Sequence, residues 1–562
     1  MPLSRRRFLK KSALATAASL TAPFWRTRLL AQNATAGVVE APAVPVPPGW
    51  GVAAGPFQPN WGSLAQYQAP DWFRDAKFGM WAHWGPQCVP EQGDWYARRM
   101  YISSDPKTGK PDADYLYQCS HYGHPSKVGF KDIDHLWLAE DWDPQKLIGL
   151  YQRAGAKYFT ALANHHDNLD CFDSTYQEWN VMRVGPMKDI VGGWEKAVRA
   201  AGLRFGVTVH AAHAWSWYEP AQGSDKTGPL AGVPYDGKMT KADGKGLWWE
   251  GLDPQELYAQ NHTPGKGGLV WDWDAAKGSS IPDPAYCEKF FNRTIDLINK
   301  YNPDLIYFDD TILPLYPISD AGLRIAAYYY NQNIARHDGK LEGVLTGKVL
   351  NAQQRQCMVW DVERGVTDKI EPQAWQTDTC IGEWHYRLSL FEQHKYKTAN
   401  TVAHMLVDIV SKNGNLLLNI PLPPGGAPDA DELKFLAEFT PWMDANSEGI
   451  YGTRPWKVFG EGPSAGSAAP IRAQGFNEGR NKPYTAQDWR FTQKGDTLYA
   501  YAMAWPDHGT LVIKSLASNG PVAGATVARV EALGVTEPLK FTQDANGLSI
   551  TVGFKIQGTG LV

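Results

Sequence analysis

The stretch YNPDLIYFDD, residues 301–310, decides the fold class. Four consecutive apolar residues, Leu305–Phe308, are followed directly by two carboxylates, Asp309 and Asp310. A short, uninterrupted apolar run predicts a strand that is buried on both faces, as in a parallel sheet. Because neighbouring side chains on a strand point to opposite faces, only one of the two carboxylates can enter a site on one side. A solvated turn is the alternative interpretation.

Three earlier apolar stretches share this design and end in histidines. They are KFGMWAHWG (77–85), which ends near His83, KYFTALANHHD (157–167), which ends at His165, His166 and Asp167, and RFGVTVHAAH (204–213), which ends around His210 and His213. Apolar residues at helical spacing occur in PQKLIGLYQRAGA (144–156), WEKAVRAAG (194–202) and YCEKFFNRTIDLINKY (286–301). Helices alternating with buried strands predict parallel βα units. In a (β/α)8 barrel the strands end at one mouth, where catalytic residues collect.

Each polar cluster also has an explanation without chemistry. The carboxylate of Asp167 can cap a helix, His210 and His213 can be hydrogen-bonded core histidines, and the Asp309–Asp310 pair can be a surface turn. Clustered histidines also suit a metal ion such as zinc or nickel. The sequence contains no HExxH motif, and we expect neither a metal nor a cofactor.

Composition describes a globular chain of more than one domain. The 562 residues exceed one ordinary core, and the net charge of −4 gives no reason to expect a nucleic-acid partner. The 24 Trp and 25 Tyr residues suit stacking against sugars, although large aromatic cores use the same residues.

Two regions depart from the helix–strand alternation. Residues 219–282 are dense in Gly, Lys, Pro and Asp, and we interpret them as a long insertion between barrel elements, with a lid as one possible role. After a barrel spanning 61–447, residues 448–562 are expected to form an antiparallel β-sandwich. Its predicted strands are DTLYAYAMAW (496–505), GTLVIKSL (509–516), ATVARVEAL (525–533) and LSITVGF (548–554).

The N-terminus predicts export. SRRRFLKKSALATAASLTA, residues 4–22, combines a basic segment with an apolar, Ala-rich one and is typical of a twin-arginine signal, which we assign to residues 1–36. A Pro- and Ala-rich tether, residues 37–60, follows. We expect a periplasmic or secreted mature protein without a membrane span. None of the six cysteines forms a CxxC pair, and the sequence does not decide whether disulfides form.

Five ordered motifs, spread over residues 60 to 510, resemble the α-L-fucosidases of glycoside hydrolase family 29. They are WFRDAKFGMWAHWGPQCVPEQGDWYARRMY (72–101), YFTALANHHDNLDCFDS (158–174), NPDLIYFDD (302–310), DIVSKNGNLLLNIPLPPGG (408–426) and LYAYAMAWP (498–506). The resemblance implies a (β/α)8-like barrel followed by a β-sandwich. It also implies an exported retaining exo-glycosidase that removes terminal α-L-fucose from an oligosaccharide or glycoconjugate, with two carboxyl groups roughly 5 Å apart.

The resemblance also implies site residues. The nucleophile falls on Asp309, two positions after Tyr307, and the acid/base falls on Glu363 within MVWDVERGV (358–366), with Glu371 and Glu383 as rivals. A second family position reads Gln376 here, which cannot act as an acid. The implied sugar-binding residues are His83, Asp94, Trp95, His165, His166 and Tyr307.

Three departures from the family pattern leave the substrate open. Asp94 stands where the family has Glu, Tyr307 stands where it has Trp, and Asn164 and Asn168 flank the His-His-Asp motif. Such changes could admit another α-L-glycoside, such as an α-L-galactoside, because pockets discriminate small differences only modestly. An inactive carbohydrate-binding protein and a metal-dependent hydrolase are the alternatives from other classes. The sequence does not set the oligomeric state.

Overall fold

Eight parallel strands close into a barrel in chain order, as the βα pattern predicts. In this computed structural model the described residues are 43–44, 54–266, 273–310, 312–467, 475–479, 483–506, 509–520, 526–536 and 538–553. The barrel strands are β1 Phe78–Ala82, β2 Tyr158–Asn164, β3 Arg204–Val209, β4 Leu305–Phe308, β5 Val344–Gly347, β6 Val359–Glu363, β7 Trp375–Cys380 and β8 Gly414–Asn419. The predicted export signal, 1–36, and most of the predicted tether lie outside the described residues.

Helices cover the barrel between the strands. The α-helices are Trp61–Leu64, Asp71–Ala76, Tyr96–Arg99, Ala113–His121, Phe130–Leu136, Pro144–Arg153, Ile190–Ala200, Ala214–Trp217, Pro254–Leu257, Pro284–Tyr301, Ala321–Arg336, Leu388–Glu392, Ala399–Ser411 and Ala430–Asn446. Asp283 shows how one begins, because its carboxylate accepts a hydrogen bond from the Tyr286 amide and Pro284 occupies the first turn. None of the helices in the described ranges is long and apolar enough to cross a lipid bilayer.

The barrel strands are buried because both of their faces are covered. Every residue of β1, β2, β4, β5, β7 and β8 is buried. The parallel register pairs Gly206 with Leu305 and Leu305 with Val344, so β3, β4 and β5 are aligned side by side. The chain therefore leaves these strands close together at one end of the barrel, which is where parallel barrels carry their sites.

The C-terminal region forms two antiparallel sheets of three strands, in the orders β11–β10–β9 and β12–β14–β13. The strands are β9 Arg454–Glu461, β10 Trp489–Lys494, β11 Thr497–Ala502, β12 Thr510–Ile513, β13 Lys540–Asp544 and β14 Gly547–Thr551. A second hydrophobic core, built around Trp489, Phe491 and Ile550, joins them. The β-rich C-terminal region is thus confirmed.

One predicted strand of this region is wrong. The described part of ATVARVEAL, residues 526–533, is not a strand, and β13 pairs with β14 instead. Val527 and Val530 pack against the second core with their side chains. The backbone contacts are sparse, since Leu539 donates to the Val530 carbonyl and Val527 donates to the Gln543 side chain. The apolar alternation of this segment therefore comes from side chains that pack against the sheet, although its backbone does not pair with a strand.

A buried ion cluster attaches the first C-terminal sheet to a barrel helix. Asp408, near the end of helix Ala399–Ser411, pairs with Lys412 at 2.8 Å and with Arg490 of β10. All three side chains are at most 4% exposed. Such charges are tolerated in an interior only when they are paired, so this cluster fixes the sheet against the barrel.

The six cysteines are all described and carry free thiols. Five of them are buried, and Cys119 is half-buried. The disulfide question that the sequence leaves open is therefore answered by reduced side chains in this structure. Core packing is enough to explain buried cysteine, which behaves as a small apolar residue.

Candidate active site

A pocket of about 240 Å³ opens at the C-terminal ends of the barrel strands. Its position follows from the register, because the first residue after β1, β3, β4 and β5 reaches it and Glu363 is the last residue of β6. The lining residues are Trp81, His83, Trp95, His165, His166, His210, Tyr307, Asp309, Lys348, Glu363, Trp384 and Phe476. The sequence-predicted residues His83, Trp95, His165, His166, Tyr307, Asp309 and Glu363 are thus brought together.

A lysine lies between two carboxyl groups of the pocket. The Nζ atom of Lys348 is 2.7 Å from Oδ1 of Asp309 and 2.7 Å from Oε2 of Glu363. These two oxygens can therefore be at most 5.4 Å apart, which is twice that distance. The Lys348 side chain is 1% exposed, whereas both carboxylates are 15% exposed. The carboxyl groups thus reach the pocket and the ammonium stays beneath them.

Asp309 is held in its ionised form by three neighbours. Oδ2 lies 3.2 Å from Nε2 of His166 and 3.1 Å from Nδ1 of His210, while Oδ1 faces Lys348. Burial alone would raise the pKa of Asp309, but the Lys348 ammonium and the hydrogen bonds from His166 and His210 outweigh it. The pKa of Asp309 therefore lies well below its usual range, and the carboxylate is charged at neutral pH.

Glu363 is shifted in the opposite direction. Burial raises the pKa of Glu363 to about 7; Lys348 opposes this rise and the negative charge of Asp309 adds to it. A carboxyl group with this pKa exchanges its proton near neutrality. The two carboxyl groups on one lysine thus differ: Asp309 stays charged at neutral pH, whereas Glu363 takes up and releases a proton there. Such a difference distinguishes a nucleophile from an acid at one site.

Tyr307 lies against the pocket and is fixed from the neighbouring strands. Its hydroxyl donates to Oδ2 of Asp378 on β7 at 2.5 Å, and the same carboxylate oxygen is 3.9 Å from the Lys348 ammonium. Asp361 of β6 accepts a hydrogen bond from Gln376 at 2.9 Å. These buried polar side chains orient Lys348 and Tyr307 from inside the barrel. Gln376, which stands at the second acid position of the family, belongs to this interior layer.

Neutral histidines form the polar wall of the pocket. Burial lowers the pKa of His83 and of His165 well below the usual value, and it lowers the pKa of His210 to about 4. Within the described ranges neither ring nitrogen of His83 has a hydrogen-bond partner. A neutral imidazole offers one donor and one acceptor, so His83 is equipped to bind hydroxyl groups of a ligand.

The same histidines could hold a metal ion. Ligand atoms of His83, His165 and His210 lie within 4.8 Å of one another, and so do those of His166, His210 and Asp309. Imidazole and carboxylate donors suit zinc, copper or nickel. The donor chemistry therefore fits a divalent ion, which makes chelation a necessary control for any activity of this pocket.

Other sequence-predicted residues lie outside the pocket lining. Asp94 accepts a hydrogen bond from the His385 amide at 2.8 Å, and the His385 ring lies 4.7 Å from the His83 ring. The carboxyl group of Asp310 points away from Asp309 and lies 2.9 Å from Nε2 of His213. Burial and the charge of Asp309 raise the pKa of Asp310 well above its usual value. The two consecutive carboxylates are therefore not equivalent, as strand geometry predicts.

The rival glutamates also lie elsewhere. Glu371 is 3.4 Å from Arg355, and its amide donates to the Lys412 carbonyl at the start of β8, at the opposite end of the barrel. Glu383 pairs with Arg387 at 2.7 Å and is not among the lining residues in the described part of the chain.

The two asparagines that depart from the family motif do not enter the pocket. Asn164 accepts hydrogen bonds from the amides of His210 and Ala211, both at 3.1 Å, and so joins β2 to β3. Asn168 donates to the Leu257 carbonyl at 3.0 Å and accepts from Arg293. Leu257 belongs to the predicted insertion, which contributes no described residue to the pocket lining. These departures thus bear on packing around the site.

Five lining residues are not among the predicted site residues. His210 is predicted only as a strand-end histidine, and sequence reasoning missed Trp81, Lys348, Trp384 and Phe476. Trp81 is inside a strand that the sequence predicts, and alternation along β1 could have placed it in the barrel. Lys348 follows strand β5, which has only four residues and is too short to be recognised from its pattern. Trp384 and Phe476 lie in loops whose course only the tertiary structure reveals.

The chain is similar in sequence to known α-L-fucosidases. Residues 50–448 match the family model for α-L-fucosidase, and residues 481–559 match the model for the α-L-fucosidase C-terminal domain. Tissue α-L-fucosidase of Rattus norvegicus is 26% identical over 494 residues, covering 85% of each chain. Human tissue α-L-fucosidase is 25% identical over 494 residues, covering 85% of this chain and 84% of that protein.

Solved structures share the fold. The Thermotoga maritima α-fucosidase in complex with fucose aligns with a TM-score of 0.61 at 23% identity, covering 88% of this chain and 96% of that one. The α-L-fucosidase isoenzyme 1 of Paenibacillus thiaminolyticus aligns with a TM-score of 0.55 at 17% identity, covering 89% and 97%. The family model spans most of the chain and includes the whole barrel, so this protein belongs to the α-L-fucosidase family of glycoside hydrolases.

Proposed function

We propose that the protein is a retaining exo-α-L-fucosidase in which Asp309 is the nucleophile and Glu363 is the acid/base. The observation that carries this proposal is the lysine bridge, which keeps the facing oxygens of the two carboxyl groups within 5.4 Å, twice the 2.7 Å contact. Retaining glycosidases separate their carboxyl groups by about 5–5.5 Å, whereas inverting enzymes need about 6.5–9.5 Å to admit a water molecule.

In the first step Asp309 attacks the anomeric carbon of the bound sugar. Its two oxygens offer about four lone-pair sites, and Lys348, His166 and His210 occupy three of them. One site is left for the new bond. The bond to the leaving oxygen breaks as Glu363 transfers its proton to that oxygen, which gives a glycosyl-enzyme and a free alcohol.

In the second step Glu363 is a carboxylate and takes a proton from an incoming water. The water oxygen attacks the anomeric carbon and displaces Asp309, which restores the charged carboxylate beside Lys348. The two steps each invert the anomeric centre, so the product keeps the configuration of the substrate. The pKa of about 7 suits Glu363 to both roles, since it must give up and regain a proton in every turnover.

The size of the pocket supports removal of one terminal sugar. Its 240 Å³ is below the roughly 300–1,000 Å³ of pockets that enclose drug-sized ligands. Neutral histidines face hydroxyl groups, while Trp95 and Trp384 offer apolar rings for a methyl group or a ring face. We propose fucose as the sugar, with α-L-galactosides as the competing substrates that the same assay compares.

Replacing the nucleophile tests the whole mechanism. We expect Asp309→Gly to lower kcat on an aryl α-L-fucoside by roughly 10⁴- to 10⁶-fold, because no group remains to form the glycosyl-enzyme. Added azide should restore turnover and give the β-azide, and wild-type activity should survive a chelator. Full activity of the variant would contradict the assignment, and loss of wild-type activity with chelator would favour the metal-dependent alternative.

The pH profile tests Glu363. Its proton is needed for the first step, so kcat/KM should fall as the pH rises through about 7, the pKa that burial gives Glu363. Glu363→Gln should abolish this descending limb and lower kcat/KM about 10²- to 10⁴-fold on glycosides with poor leaving groups. Glu383→Gln is the matched control and should keep the wild-type profile. A limb that persists in Glu363→Gln would show that another group donates the proton.

The bridging lysine gives a third test. Lys348 lowers the pKa of both carboxyl groups, so Lys348→Met should raise both. Because a cation at this distance lowers a carboxyl pKa by about 1–3 units, the acidic limb of kcat/KM, where Asp309 loses its charge, should move up by about 1–3 pH units. Lys348→Arg, which keeps the charge, should shift it less. An unmoved acidic limb in Lys348→Met would exclude this electrostatic role.

The proposed location of the enzyme is outside the cytoplasm, reached by twin-arginine export. The support is the basic and apolar stretch at residues 4–22. In a bacterial host, the wild-type chain should appear in the periplasm in a shortened form. The variant Arg5→Lys/Arg6→Lys/Arg7→Lys keeps the charge but removes the arginine pair, and it should remain full-length in the cytoplasm. Export of this variant would contradict the twin-arginine route.

A further inference from the structure

A short segment from beyond the barrel reaches the mouth of the pocket. Residues 475–479, here named the rim segment, lie between β9 and β10 in the chain. They also lie between the regions that match the two family models, residues 50–448 and 481–559, and neither model covers them. Whatever the rim segment adds to the site is therefore additional to what the family models describe.

The rim segment is attached to the end of β6, directly at Glu363. Gly475 forms a parallel bridge with Glu363, and the amide of Phe476 donates to the Glu363 carbonyl at 2.8 Å. Gly475 has a φ of 115°, and a Cβ atom there would lie 2.3 Å from the Glu363 carbonyl oxygen. Only glycine permits this close approach, so the backbone places Phe476 beside Glu363.

Two side chains fix the segment further. Asn477 accepts a hydrogen bond from the Val366 amide at 2.8 Å and donates to the Val366 carbonyl at 2.9 Å. Glu478 pairs with Lys397 at 2.6 Å and also accepts a hydrogen bond from Thr379. These anchors flank Phe476 in the chain and fix the course of its backbone beside Glu363.

Phe476 is only partly covered by the protein in this position. The residue is 50% exposed although it lines the pocket. Its φ is 52°, in the left-handed region, which costs a non-glycine residue of order 1–3 kcal/mol unless the surroundings impose it. A half-exposed aromatic residue that the surrounding chain holds in a strained conformation at a pocket suggests a role in binding.

The position of the leaving group follows from the mechanism. The pocket of 240 Å³ takes the terminal sugar, so the remainder of the substrate lies outside it. Glu363 delivers its proton to the leaving oxygen and must therefore face the first atoms of that remainder. Phe476 is joined to Glu363 by a backbone hydrogen bond, lines the same pocket and is half exposed.

We propose that Phe476 is the platform on which the sugar unit next to the cleaved fucose packs its apolar C–H face, and that it determines leaving-group specificity. This inference rests on the proposed function. The ligand class is a hexose-like ring, because a flat phenyl ring offers contact area and no hydrogen bond. Phe476 lines the pocket next to the end of β6, where Glu363 meets the leaving oxygen, so we place its contact on the leaving-group side of the scissile bond.

Two substrates that differ in the leaving group test the proposal. α-L-Fucosyl fluoride has a one-atom leaving group, whereas an α-L-fucosyl disaccharide, the best-cleaved of a panel, places a sugar on the platform. Phe476→Ala should lower kcat/KM on the disaccharide roughly 3- to 10-fold more than on the fluoride, the effect of losing a ring contact that only the leaving-group sugar makes. Phe476→Tyr should restore the wild-type ratio. Met187→Ala, at another exposed residue, is the matched control.

The outcomes separate this inference from the function on which it rests. An equal loss on both substrates would mean that Phe476 only supports Glu363, and no loss on either would mean that the ring is idle; both overturn the inference alone. A wild-type enzyme that cleaves neither substrate overturns the proposed function and the inference with it. The substrate-selective loss, reversed by tyrosine, is the result that supports it.

Discussion

The site depends on the ion pairs that the Lys348 ammonium forms with two carboxyl groups. The Lys348 side chain is 1% exposed and contacts Asp309 and Glu363 at the same distance of 2.7 Å. Two charged carboxylates this close would repel each other, and one would take up a proton. The lysine charge keeps Asp309 ionised, while burial and the charge of Asp309 favour the protonated form of Glu363 against the opposing effect of Lys348. With Glu363 protonated, the buried trio is neutral. A neutral, hydrogen-bonded trio is the form in which an interior tolerates such groups.

This trio depends on three neighbouring strands of the barrel. Asp309 follows β4, Lys348 follows β5 and Glu363 ends β6, so the three come from adjacent strands in barrel order. The register sets their height: Tyr307 pairs with Thr346 and Gly347 pairs with Trp360, so Asp309 and Lys348 are level and Glu363 lies two residues further along β6. The polar residues of β7 complete the arrangement from the interior, where Asp378 binds Tyr307 and lies 3.9 Å from Lys348. Stability and chemistry therefore share the same strands.

The sequence predicts those parts of the fold that depend on local pattern. Strand β4 is an unbroken apolar run, and alternation separates Asp309 from Asp310 as the structure shows. The sequence pattern does not predict the role of Lys348. One lysine after a four-residue strand has no periodic signal, and its role appears only when β4 and β6 lie on either side of it. Strand β7 fails the apolar criterion, since Gln376 and Asp378 are polar and buried. Residues 526–533 show the opposite error, since their apolar pattern predicts a strand and they form no strand in the structure.

The reacting carboxyl groups and the proposed leaving-group contact lie in different parts of the chain. The carboxyl groups sit at strand ends, which the barrel's hydrogen bonds fix on all sides, so their separation cannot vary with the leaving group. The rim segment is joined to the barrel by hydrogen bonds to Glu363, Arg364 and Val366 and by the contacts of Glu478 with Thr379 and Lys397. Substitutions there leave the barrel register unaffected, because none of its residues pairs within strands β1 to β8 apart from the bridge to Glu363. A change of leaving-group preference is therefore physically easier at Phe476 than at any strand-end residue, where the same substitution would disturb the lysine bridge.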